Sequence, residues 1–133
     1  MKFVDTNVIL RYLTKDDLQK EEKCEELFQR TSAGKEILYT STLVIAEVVW
    51  VLEKFYKLNR AQVAVYIEKI LNTPFLGCDE KDTLFIAVGL YELKRIDFID
   101  AYHAVTMETK LIDTIYSYDL HFDVIPPLKR IEP

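Results

Sequence analysis

Apolar residues run along this chain in short stretches whose period switches between that of a strand and that of a helix. Met1 to Val4 read as a short buried strand, because Phe3 and Val4 favour a pleated surface and no turn residue interrupts them. Asp5, Thr6 and Asn7 stop the run. Val8, Ile9, Tyr12 and Leu13 then follow at helical spacing, with Asn7 as the expected N-cap. The stretch from Asp16 to Arg30 is charged and helical, with Leu27 and Phe28 on its apolar side and Gly34 marking its end. "EILYTS" follows as a second strand, and "TLVIAEVVWVLEKFYK" as a long helix begun by Ser41 or Thr42. "NRAQVAVYIEKILN" is amphipathic, capped by Asn59, with Val63, Tyr66, Ile67 and Ile70 on one stripe. "FLGC" reads as a third strand, "EKDTLFIAVGLYELKR" and "DAYHAVTMETK" as two more helices, and "DTIYSYD" as a fourth strand ending on Asp119. A last extended piece is expected around Val124 and Ile125, stopped by Pro126 and Pro127. Strands alternating with helices in this way predict an α/β fold with a largely parallel sheet covered on both faces.

Length and composition narrow the picture. A chain of 133 residues is long enough for a proper core and too short for two ordinary ones, so a single domain over residues 1–133 is expected. Three Gly and four Pro leave no linker or low-complexity tract. Cys24 and Cys78 fall outside any Cys-x-x-Cys spacing, which argues against zinc and a disulfide framework and for free thiols in a reducing cytoplasm. No secretory segment opens the chain. The longest apolar stretch, "LVIAEVVWVL", is too short to span a bilayer and carries Glu47, so a soluble cytoplasmic protein without a membrane partner is expected. The net charge of -5 argues against a broad basic face that coats duplex DNA. It leaves nucleic acid open as a substrate engaged through metal ions and a few cations. Arg11, Lys54, Lys57 and Arg60 are available for that, although each reads first as a solvated surface charge.

Four acids stand in unusual settings. Asp5 sits at a strand's carboxyl end, the rim where ligands bind in open α/β sheets, and reads either as a ligand there or as an ordinary capping residue. Glu47 is the sole polar residue among ten from Leu43 to Leu52, with Leu43, Val44, Trp50 and Val51 as helical neighbours. Its carboxylate must reach water, a donor or a cation, unless the helix merely skirts solvent there. Asp100, in "IDFIDAYHAV", is placed where a helix begins and packs Ala101, Ala104 and Val105 inward, which suits a cap as well as a ligand; Asp97 reads more simply as structural. Asp119 repeats the logic of Asp5, with Ser117 just before it, while Asp123 reads as a turn residue. Were these four to converge on one rim, the mutual repulsion would call for a divalent cation, and oxygen ligands suit Mg²⁺ or Mn²⁺ better than Zn²⁺. His103 and His121 read as packing or surface residues.

"VDTNV", "IAEVVWVL", "DFIDAYHA" and "YSYD", taken as an ordered set over essentially the whole chain, resemble the PIN-domain ribonucleases, and length and motif order are most similar to VapC-type toxins. The resemblance implies a three-layer α/β/α fold with a mainly parallel sheet of four or five strands. It implies that Asp5, Glu47, Asp100 and Asp119 are the catalytic and metal-binding acids, with Asn7 and Ser117 orienting water or a carboxylate. The implied reaction is Mg²⁺-dependent hydrolysis of RNA phosphodiester bonds, with Mn²⁺ as a substitute. The implied partners are RNA, a cognate antitoxin protein and a second copy of the chain. Trp50, Phe55, Tyr56, Val63, Tyr66 and Ile67, more large side chains than one small sheet obviously covers, fit such a homodimer. On the crowding argument, alanine at Asp5 leaves the metal-free fold as stable or more so. Two other functions compete. A receiver-type phosphoacceptor domain is also a parallel α/β fold, but it needs a Lys near the end of a later strand, and none follows Asp119 until Lys129. A non-catalytic PIN scaffold that only binds partners would not need all four acids.

Overall fold

The structure is a computed structural model that describes residues 1–15 and 18–133. Its backbone divides into two compact units, Met1–Lys81 and Asp82–Pro133.

The first unit is built on three parallel strands in the order β1-β2-β3, where β1 is Lys2–Phe3, β2 is Leu38–Thr40 and β3 is Leu76–Cys78. Phe3 pairs with Tyr39, and Tyr39 with Gly77. Helices α1 (Thr6–Thr14) and α2 (Leu18–Ser32) connect β1 to β2, and α3 (Thr42–Lys54) and α4 (Arg60–Leu71) connect β2 to β3. Parallel pairing demands such crossovers, because the chain must return to the same end of the sheet before each new strand. Leu38 and Leu76 are buried, but both residues of β1 are exposed, against the expectation of a buried strand; burial falls instead on Val4 just beyond it. The short strand places Phe3 on the outer edge, where its ring lies 6.5 Å from that of Tyr39.

The helices follow the apolar pattern closely. Ile9, Leu10 and Leu13 of α1 are buried, and α1 meets α2 through the stacked rings of Tyr12 and Phe28, 4.0 Å apart. Asp16, the expected start of α2, and its neighbour Asp17 lie outside the described residues. Gly34 takes a φ of +73°, the left-handed geometry that ends helices, just past α2. Ser41 caps α3 by accepting the N–H of Val44, and Asn59 caps α4 in a reciprocal box with Gln62. Of the predicted stripe Val63, Ile67 and Ile70 are buried and Tyr66 is half-buried, and full burial of each such aliphatic side chain is worth about 1.5–3 kcal/mol.

The second unit holds helices α5 (Lys81–Lys94) and α6 (Phe98–Thr109), followed by a parallel pair formed by β4 (Thr114–Tyr116) and β5 (Lys129–Ile131). Five parallel strands are present, within the expected four or five, but they form a three-stranded and a two-stranded sheet instead of one. The C-terminal region departs most from expectation. Leu120–Val124 is a 3-10 helix, and the last strand follows Pro126 and Pro127 instead of preceding them. The local reason is Asp119, whose carboxylate accepts the His121 N–H and caps the 3-10 turn. Among the described residues no helix is long and apolar enough to cross a membrane, and Cys24 and Cys78 are free thiols.

Candidate metal centre and active-site acids

Each unit carries one pair of the four acids. In the first, β1 is fastened at its end: the Val4 N–H donates to the Tyr39 carbonyl at 2.8 Å, and the buried Thr40 hydroxyl donates to the Val4 carbonyl at 2.9 Å. Asp5 follows at once and is the N-cap of α1, its Oδ1 accepting the Val8 N–H at 3.3 Å. The cap is therefore Asp5 and not Asn7, which lies inside the helix and is exposed. The expectation that alanine at Asp5 leaves the metal-free fold as stable or more so changes with it, since truncation removes a helix cap.

Glu47 is exposed on α3, and its face is open: Leu43 and Trp50, one turn to either side, are 80% and 61% exposed. The helix does skirt solvent at this turn. The carboxylate nonetheless has a built partner, for the buried Thr6 donates its hydroxyl to Glu47 Oε2 at 2.6 Å. Thr6 is the first residue of α1, next to Asp5, so the start of this helix is capped by one carboxylate and steers a second from α3. Sequence reasoning passed over Thr6, whose small side chain looks like a turn filler until the two elements are packed.

In the second unit α6 begins at Phe98 with Asp97 at the cap position, two residues earlier than expected, although the Asp97 side chain makes no cap bond. Asp100 therefore lies in the first turn of α6, where the helix dipole favours a negative charge. Ala101, Ala104 and Val105 are buried as expected. Asp119 follows β4, on a loop tied by Ser117, whose Oγ accepts the Asp119 N–H at 2.9 Å. Asp119 Oδ1 accepts the His121 N–H at 2.9 Å and lies 3.1 Å from His121 Nδ1. Burial pushes the Asp100 carboxyl above the ordinary carboxylate range; the neighbouring charges of Asp119 and Asp97 and a hydrogen bond with Asp119 add to this, and His103 opposes it. Asp123 is a structural residue, paired with Arg130 at 3.0 Å.

Asp100, Asp119 and His121 each present a ligand atom, all within 4.8 Å of one another, and among the described residues no other group of three His, Cys, Asp or Glu side chains does so. This set fits a divalent cation: two carboxylates facing one another with a ring nitrogen beside them. Oxygen donors with a single imidazole suit Mn²⁺ as well as Mg²⁺. His121 was missed from the sequence because the signal is positional: it sits two residues after Asp119, within reach only once the 3-10 turn folds it back.

The sequence pattern of the PIN domain family matches residues 2–126. A VapC ribonuclease of Aquifex aeolicus (strain VF5) is 30% identical over 122 residues, which cover 92% of this chain and 90% of that protein. The crystal structure of Mycobacterium tuberculosis VapC20, described as a Sarcin-Ricin loop cleaving toxin, aligns over the full length of both chains with a TM-score of 0.42 and 21% identity, too loose a likeness to bear on detail. A family match along nearly the whole length, and a relative that shares its identities along nine-tenths of it, make this chain a member of the PIN-domain family, in its VapC branch.

Proposed function

We propose that this chain is a metal-dependent endoribonuclease, the toxin of a toxin-antitoxin pair, acting as a single PIN domain over residues 1–133 in the cytoplasm. The observation that carries the reading is the cluster of Asp100, Asp119 and His121 within 4.8 Å, in a chain whose 30%-identical relative is a VapC ribonuclease. Asp5, Glu47, Asp100 and Asp119 are the proposed catalytic acids and ligands of Mg²⁺ or Mn²⁺. When bound, such an ion supplies positive charge at the scissile phosphate and a water of lowered pKa. The chain's own residues hold and orient. Asp119 presents a carboxylate that accepts the His121 N–H, on a backbone whose own N–H is held by the Ser117 hydroxyl, and Asp100 faces it from the first turn of α6. Glu47, steered by the Thr6 hydroxyl, is proposed either as a ligand or as the group that orients the attacking water. Asp5, the N-cap of α1, is the remaining proposed ligand.

The test is cleavage of a mixed RNA substrate by the purified chain with Mg²⁺, Mn²⁺ or EDTA. Cleavage with either ion, and its loss in EDTA and in Asp119→Asn, is expected. Full cleavage by Asp119→Asn overturns the reading, and a stable adduct after incubation with acetyl phosphate would favour the phosphoacceptor function instead. The reading extends to partners. Of the large side chains from α3 to α4, Val63 and Ile67 are buried, while Trp50 and Phe55 stay 61% and 72% exposed. Interface cores are enriched in aromatic residues, which supports a homodimer and an antitoxin segment laid as an amphipathic helix. An Arg or Lys of that segment would inhibit by placing its cation among the acids. Monomer alone by light scattering at micromolar concentration would remove the dimer.

A further inference from the structure

Arg130 lies on β5, four residues past the stretch matched by the family pattern, and none of the acidic motifs contains it. Its side chain is 13% exposed, unusually low for an arginine in a terminal strand. The guanidinium donates from Nε to Asp123 Oδ1 at 3.0 Å and from Nη2 to Asp123 Oδ2 at 3.4 Å. From Nη1 it donates to Glu132 Oε1 at 3.1 Å and to the main-chain carbonyl of Ser117 at 2.9 Å. That last bond connects it to the metal centre. Ser117 is held at every polar group it has: its N–H donates to the Ile131 carbonyl at 3.0 Å, its carbonyl accepts from Arg130, and its hydroxyl accepts the Asp119 N–H. The loop that carries Asp119 is therefore pinned to β5 immediately before the acid.

We propose that Arg130 is a positioning residue for Asp119, clasping the Ser117 carbonyl so that the Asp119 carboxylate is held ready for a divalent cation. The inference rests on the proposed role of Asp119 as a metal ligand. Two features fit a clasp better than a surface ion pair. The planar fork satisfies a carboxylate in near-bidentate geometry and a backbone carbonyl together, which the point charge of a lysine does not do. The carbonyl it holds belongs to the residue whose hydroxyl shapes the Asp119 turn, so its loss loosens the acid and not merely the strand. Outer partners of metal ligands typically change metal affinity by about 10–100-fold.

The experiment measures Mn²⁺ binding to the full chain by electron paramagnetic resonance, which needs no catalysis, alongside steady-state RNA cleavage. Arg130→Met is expected to raise the Mn²⁺ dissociation constant by about 10-fold or more. KM for RNA should stay constant, and the cleavage deficit should shrink at high Mn²⁺. Arg130→Lys, which keeps a charge beside Asp123 and Glu132, is expected to recover the melting temperature but not the Mn²⁺ affinity, and it stands in for Arg130→Met if that variant does not fold. Variants that melt earlier yet bind Mn²⁺ as the wild type does would reduce Arg130 to a structural ion pair and overturn the proposal. Asp119→Asn separates the two levels of inference. If it binds Mn²⁺ normally, the metal-site reading fails and takes the clasp with it. If it loses Mn²⁺ while the Arg130 variants do not, the clasp alone falls.

Discussion

The two acid pairs are held in different ways. Asp5 and Glu47 are joined indirectly, one capping α1 and the other accepting from Thr6, so each negative charge already has a donor. Asp100 and Asp119 face one another, and Asp100 is pushed towards its protonated form by burial and by that neighbour. A carboxylate bonded to its own helix terminus is stable without help, whereas two that face each other call for a proton or a cation between them. The like-charge crowding thus lies in the second unit, while the first unit's acids serve the local fold as well as the proposed chemistry.

The largest expected effect is on turnover. Asp119→Asn and Asp100→Asn should each lower kcat by more than about 100-fold, exceeding what the loss of an outer partner costs. Asp5→Asn should do the same despite its capping role; cleavage at the wild-type rate would leave the first pair purely structural. Next comes linkage. Mg²⁺ or Mn²⁺ at a hundred times its dissociation constant should stabilise the chain by about 2.7 kcal/mol, a rise of several degrees in Tm by scanning calorimetry. Asp100→Asn should abolish that rise; an undiminished shift would put the ion elsewhere.

Stability without metal should then separate the pairs in sign. Asp5→Ala is expected to cost about 1 kcal/mol in chemical denaturation and Asp5→Asn only a fraction of that, because Asn still caps. Asp100→Asn should leave metal-free stability unchanged or higher. Equal losses at both sites would erase the distinction. The smallest effect concerns pH. The Asp100 carboxyl is raised in the folded chain, so its favourable contribution is complete below its ordinary range and is lost as pH rises through the raised value. Metal-free Tm should carry a component that declines across that acidic window and is missing in Asp100→Asn, read by melts at closely spaced pH values.

Much of this was legible along the chain. The helices of the first unit, the Ser41 and Asn59 caps and the stop at Gly34 are local events, decided within a few residues by side-chain hydrogen bonds and apolar period. The four acids were legible for the same reason: a carboxylate interrupting an apolar run stands out without knowledge of its surroundings. What those acids touch was not legible. Thr6 reaches Glu47 across 41 positions, and Arg130 reaches Ser117 across 13, on elements that no short-range pattern relates. His121 reads from the sequence as a lone packing or surface residue, because its place beside Asp119 depends on a 3-10 turn that no local pattern announces. Propensity and period act over one or two turns of chain, so they determine where elements begin and which face is apolar. Hydrogen bonds between distant elements form only after packing brings them into register, and the tertiary structure alone decided which donors the acids of this protein received.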